Sequence, residues 1–76
     1  MPKYYFDVDG LPPALDAVGE ELQDDEGAWY EATQYAGQLF KDIDGKLRPG
    51  GEWRPVVSDA ERNQLFVIHI NSHKVK

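Results

Sequence analysis

From Ala28 onward the apolar residues Ala28, Ala32, Tyr35, Ala36, Leu39, Phe40 and Ile43 fall at intervals of three and four. That spacing puts them on one face of a helix, which we place at about residues 25 to 43. Asp24 or Asp25 caps its start by accepting a backbone N–H of the first turn, and Glu26 adds favourable charge at the positive end of the dipole. Gly45 supplies a left-handed stop. One helix cannot bury its own stripe, so the rest of the chain must provide the surface that covers it.

The remaining segments read as strands. Tyr4, Phe6 and Val8 alternate with Tyr5 and Asp7, the period of a half-buried strand, and Asp9-Gly10 ends it. Leu11-Pro12-Pro13 cannot pair through the proline nitrogens, and residues 14–20 form at most a short second strand, the least clearly patterned of the four. Residues 53–58 and 65–71 form a hairpin across the polar run 59–64. Both faces of the last strand are apolar (Phe66, Ile68 and Ile70 against Leu65, Val67 and His69), which suggests a central strand or one whose second face meets a partner.

The expected fold is therefore a single α+β domain over residues 1–76. A small antiparallel sheet of three to four strands is packed by one helix in the order β-β-α-β-β, and residues 72–76 form a polar tail. With 76 residues and no cysteine, nothing staples the fold, so burying more surface by dimerisation would help it. No apolar run approaches the ~18 residues a membrane helix needs, and the start of the chain has no apolar signal core. Together with the missing cysteines this suggests a cytoplasmic protein.

Charge is uneven. Residues 1–45 carry eleven acids and two bases, Lys3 and Lys41, whereas residues 46–76 carry three acids and six bases. Such an acidic half attracts basic partners and repels phosphate, and it also serves simple solubility.

The opening Pro2-Lys3-Tyr4-Tyr5-Phe6-Asp7-Val8 resembles a family of short proteins of rhizobia and related alphaproteobacteria, catalogued as a domain of unknown function. So do Gly19-Glu20-Glu21-Leu22-Gln23-Asp24 leading into an alanine-rich helix, and Trp53 followed by Val57, Asp59 and an apolar last strand. The resemblance spans nearly the whole chain, although Pro12 and Pro13 depart from the glycine-rich turn of the family pattern. It implies a bacterial source and the fold above, and it supplies no activity or catalytic residue.

Motifs of chemistry are incomplete. Asp7-Val8-Asp9-Gly10 and Asp42-Ile43-Asp44-Gly45 look like the start of a calcium loop, but neither frame has a glutamate at its twelfth position. His69 and His73 lie on a strand and its tail, roughly 13 Å apart at four extended residues, too far for one zinc ion. Ser58, Ser72 and Thr33 stand in no nucleophile context, and Pro49-Gly50-Gly51 does not continue into a phosphate loop. We therefore expect no cofactor and no catalysis, a metal-dependent enzyme working through Asp7, Asp9 or His69 being the remotest reading.

The expected function is that of an acidic protein-interaction module or homodimer using an apolar sheet face or edge strand. Trp29 lies about 100° round the helix from Ala28, outside the stripe, so it covers a sheet edge or meets another chain. We expect Trp29, Tyr30 and Tyr5 as anchors, with Asp24, Asp25 and Glu26 steering a basic partner. The alternative is a single-stranded nucleic-acid binder using Arg48, Trp53, Arg54 and Arg62, against which the net charge of −6 counts.

Overall fold

The computed structural model describes residues 1–10, 14–42 and 49–76. Its elements run β1 (Lys3–Asp9), β2 (Glu20–Glu21), α1 (Asp25–Asp42), β3 (Glu52–Ser58), β4 (Gln64–Val67) and β5 (Ile70–Asn71). The sheet is antiparallel in the order β2-β1-β3-β4, with β5 also on β3. This is the expected α+β arrangement, with one helix on a small sheet in the order β-β-α-β-β. Gly45 and Ile43 lie outside the described residues, as do Leu11, Pro12 and Pro13.

The helix covers the sheet face that carries Tyr4, Phe6 and Val57. Ala28 and Ala32, with no bulk beyond a methyl, let its axis come close, and with Tyr4 and Val57 they form the buried centre. Phe6, Leu22, Leu65, Phe66 and Ile68 pack around it. Phe40 does not join this core: it is 61% exposed. Eleven residues of helix bring Phe40 back to within about 20° of the azimuth of Trp29, so it shares the flank of Trp29 and not the stripe of Ala28.

Two departures from the sequence pattern have local causes. The expected strand at 65–71 is divided into β4 and β5, although the register against β3 is the same on both sides (Val56 opposite Val67, Trp53 opposite Ile70). Between them the Ile68 N–H donates to the Pro55 carbonyl at 2.9 Å, and Pro55 has no N–H to return the bond. The missing donor interrupts the ladder without shifting it. This last strand is also at the edge of the sheet and not central, because the hairpin places it outside β3.

The second departure is β2, which is two residues long and not the run 14–20. Ala14 makes an isolated pair with Val8, and Glu20–Glu21 pair with Tyr4 and Lys3. Gly10 ends β1 in a conformation that favours glycine: its φ is +141°, and a Cβ there would stand 2.6 Å from the Glu52 carbonyl oxygen.

Val57 is fully enclosed under the helix. Val57→Ala is expected to lower stability by about 2–3 kcal/mol, a large share of what a domain of this size holds. Val67→Ala, on the exposed edge, should change it by less than about 0.5 kcal/mol. Urea denaturation of both variants checks this.

Candidate interaction cleft

The outer edge of β1 explains the short β2. Between its pairings with Ala14 and with Glu20, β1 offers only Tyr5, Phe6 and Asp7 against Leu15 to Gly19 on the other chain segment. The longer segment bows away, which would leave the outward Phe6 N–H without a carbonyl. The Asp16 carboxylate takes that place: Oδ2 accepts the Phe6 N–H at 3.1 Å. Its Oδ1 accepts the N–H groups of Val18 at 3.0 Å and Gly19 at 2.9 Å. The Asp16 N–H in turn donates to Asp7 Oδ1 at 2.7 Å. Two side chains thus stand in for backbone rungs.

Arg62 closes this arrangement from the hairpin. It sits in the left-handed region at φ 68°, at the end of a turn held by Asp59 Oδ1, which accepts the N–H groups of Glu61 and Asn63. Its guanidinium donates to Asp7 Oδ2 at 3.2 Å and to the Asp16 carbonyl at 2.9 Å, and lies 3.7 Å from the centre of the Tyr5 ring. Burial works to raise the Asp16 carboxyl. The amides of Gly19, Phe6 and Val18, with the charge of Arg62, outweigh that and hold it below its ordinary value.

The bowed segment and α1 enclose a cleft of about 340 Å³. Phe6, Leu15, Asp16 and Glu20 line it from the sheet edge, and Glu31 and Tyr35 from the helix. The rings of Phe6 and Tyr35 meet edge to face, 6.2 Å apart at 73°. Burial, and then the negative charges of Asp16 and Asp7, push the Tyr35 phenol up. The carboxylates of Glu20 and Glu31 make no hydrogen bond or ion pair with the described residues, nor do those of Glu21 and Glu26 nearby in the chain. A second cleft of about 310 Å³ opens on the other sheet face, beside Asp7, Asp9, Ser58 and Arg62. Its charges are already matched, Asp7 with Arg62 and Asp9 with Arg54 at 2.6 Å.

The residues expected from sequence separate into two groups. Asp24, Asp25, Glu26, Trp29 and Tyr30 gather around the first turns of α1, whereas Tyr5 lies on the opposite sheet face under Arg62. Asp24 is the cap, its Oδ1 accepting the Gly27 N–H at 2.8 Å. Asp25 accepts the Tyr4 hydroxyl at 2.9 Å. Burial, then that hydrogen bond and the charge of Asp25, push the Tyr4 phenol up to about 12. Glu26 is exposed. Trp29 leans on Phe66 with ring centres 5.2 Å apart, covering the sheet edge from within its own chain, and remains 40% exposed. Tyr30 is 64% exposed.

Other candidates are placed as follows. Trp53 is buried, Arg54 is bonded to Asp9 and Glu52, and Arg62 to Asp7, while Arg48 lies outside the described residues. The surface that base stacking would need is therefore not formed by Trp53. His69 sits 3.8 Å from Glu52. Among the described residues no three His, Asp or Glu side chains converge as a metal-holding group. Sequence reading missed Phe6, Asp16, Glu20 and Glu31 as site residues, and it named Arg62 only for contact with nucleic acid. The spacing Glu31 to Tyr35, one helical turn beside the alanine stripe, is the signal that could have found the helix wall.

A family model described as "Domain of unknown function (DUF6894)" matches residues 3–71. The chain belongs to this family. The match covers every element of this DUF6894 domain from β1 to β5, including both walls of the cleft. No curated protein and no solved structure matches the chain. No helix among the described residues is long and apolar enough to cross a membrane.

Asp16 and Tyr4 give opposite pH limits. A folded-state carboxyl held low contributes stability above its ordinary value of 3.8, and that contribution is lost as pH falls through the folded value. Asp16→Asn should therefore cost about 1–3 kcal/mol at neutral pH, by turning an N–H donor toward the Phe6 amide, and should flatten the acid limb of the stability curve. The raised phenol acts the other way: stability from Tyr4 is complete below pH 10 and is lost as pH rises toward about 12. Tyr4→Phe should flatten the alkaline limb. Urea midpoints measured across pH check both.

Proposed function

We propose that this chain is a non-catalytic protein-interaction module whose acid-lined, aromatic-floored cleft receives a basic segment of a partner protein. The observation that carries this reading is the pairing pattern of the acids. No base stands between Lys3 and Lys41, and of the nine acids in that stretch Asp7, Asp9, Asp16, Asp24 and Asp25 are committed to internal bonds. The four without a side-chain bond among the described residues are Glu20, Glu21, Glu26 and Glu31, and two of them line the cleft.

A lysine or arginine side chain suits such a cleft on two counts. Its cationic head meets unpaired carboxylates, and its alkyl stem or guanidinium plane lies against Phe6 and Tyr35. Trp29 and Tyr30, on the same helix and exposed, extend the contact surface beyond the cleft. Among the described residues the lining holds no Ser, Thr, Lys or His beside its carboxylates and phenol, which supports binding over nucleophilic chemistry. The charge balance favours a basic protein over nucleic acid. A bacterial cytoplasm is the setting we infer, from the family resemblance and the absence of cysteine.

Calorimetric titration with a lysine- and arginine-rich peptide at low salt tests the reading. Replacing both Glu20 and Glu31 by Gln is expected to weaken binding about fivefold, the scale of two solvent-accessible ion pairs. Glu61→Gln, on the hairpin turn, should leave it unchanged. Equal affinity for the double variant and the parent would overturn the assignment.

A further inference from the structure

We infer that the β4–β5 edge is a self-association surface, along which two copies of the chain pair antiparallel and join their sheets about a twofold axis. β5 and the Phe66–Val67 part of β4 share one register on β3, so residues 66–71 form a single line with one gap at Pro55. Ile68 and Ser72 direct their N–H groups inward, to the carbonyls of Pro55 and Gly51. The alternation of a strand then turns the amides of Val67 and His69 outward. Among the described residues no strand pairs along that outer side.

Monomeric proteins guard such an edge with lysine, proline, inward charge or a bulge. The run Gln64-Leu65-Phe66-Val67-Ile68-His69-Ile70-Asn71 contains no Lys, Arg, Asp, Glu or Pro. Its one register shift, opposite Val57 and Ser58, sits at the hairpin end and leaves Phe66 to Asn71 regular. Apolar surface flanks the edge on both faces, Val67 being 39% exposed on one and Trp29, over Phe66, 40% exposed on the other.

Charge selects a second copy as the occupant. The opposite edge of the sheet is β2, Glu20–Glu21, so pairing β4 with β4 sends both acidic edges to the far ends of the joined sheet. For a chain of net charge −6 that arrangement keeps like charges farthest apart, and an uncharged strand facing itself sets no like charges opposite one another. A charged foreign strand would find no counter-charge along this run. The twofold relation also closes the assembly, since each copy uses its one open edge of this kind. This surface is on the other side of the sheet from the acidic cleft and does not depend on it.

Light scattering on the full chain, with hydrogen exchange at high and low protein concentration, tests the inference. At about 200 μM, well above a micromolar Kd, the parent is expected at twice its mass of 8.6 kDa. There the amides of Val67 and His69 should exchange at least about tenfold more slowly than in dilute protein, while Ile68, already bonded to Pro55, changes little. Val67→Lys, which adds the missing guard, should run as a folded monomer. A parent that stays at 8.6 kDa, or a dimer in which the Val67 and His69 amides remain unprotected, would overturn it.

Discussion

The carboxylate of Asp16 carries the part of the structure on which the site depends. Three backbone amides converge on it, from Phe6, Val18 and Gly19, and its own N–H is fixed by Asp7. A backbone carbonyl in the same place would have continued β2 flat along β1. The side chain instead reaches the Phe6 amide from a segment that bows outward, and the bow is what stands one wall of the cleft away from α1. Arg62 then ties hairpin, bow and strand together through Asp7, the Asp16 carbonyl and the Tyr5 ring. The contribution of Asp16 to this node requires its ionised carboxylate, so it belongs to neutral pH and is lost in acid.

The two edges of the sheet differ in chemistry because different constraints shape them. The β2 edge is short, acidic and interrupted by side-chain bonds, features that discourage strand pairing. At the β4–β5 edge a register shift sits at the hairpin end, and between Phe66 and Asn71 the ladder lacks the donor missing from Pro55, on the inner side of the strand. Proline is uncommon in a central strand. It is tolerated in β3 because its nitrogen faces a neighbour whose amide still finds the Pro55 carbonyl.

Much of the fold was legible in the sequence because it depends on periodicity alone. The spacing from Ala28 to Leu39 gave the helix, and the alternation from Tyr4 to Val8 gave β1. Phe40 was misread because a spacing of three or four drifts round a helix over several turns, and only its azimuth relative to Ala28 shows that it leaves the stripe. The apolar last strand suggested a central position, yet pattern cannot distinguish a strand covered on both sides from an edge left apolar. The site was less legible. Asp24 could be read as a cap from its place before the helix, whereas Asp16 stands in for a backbone rung, a role that follows from the unequal segments between two pairings and not from neighbouring residues. Tyr5 looked like a companion to Trp29 and Tyr30, but strand parity puts it on the other face of the sheet.

The central claim is that the cleft shaped by Asp16, and not the paired charges of the open sheet face, is where a basic partner meets this DUF6894 domain. Backbone amide NMR spectra recorded during titration with a basic peptide test it most directly. The account predicts that shifts concentrate on Phe6, Ala14 to Glu20, Glu31 and Tyr35, and that they fade as salt is raised. Shifts centred instead on Tyr5, Arg54 and the hairpin at residues 59–63, or spread evenly over the surface, would contradict it.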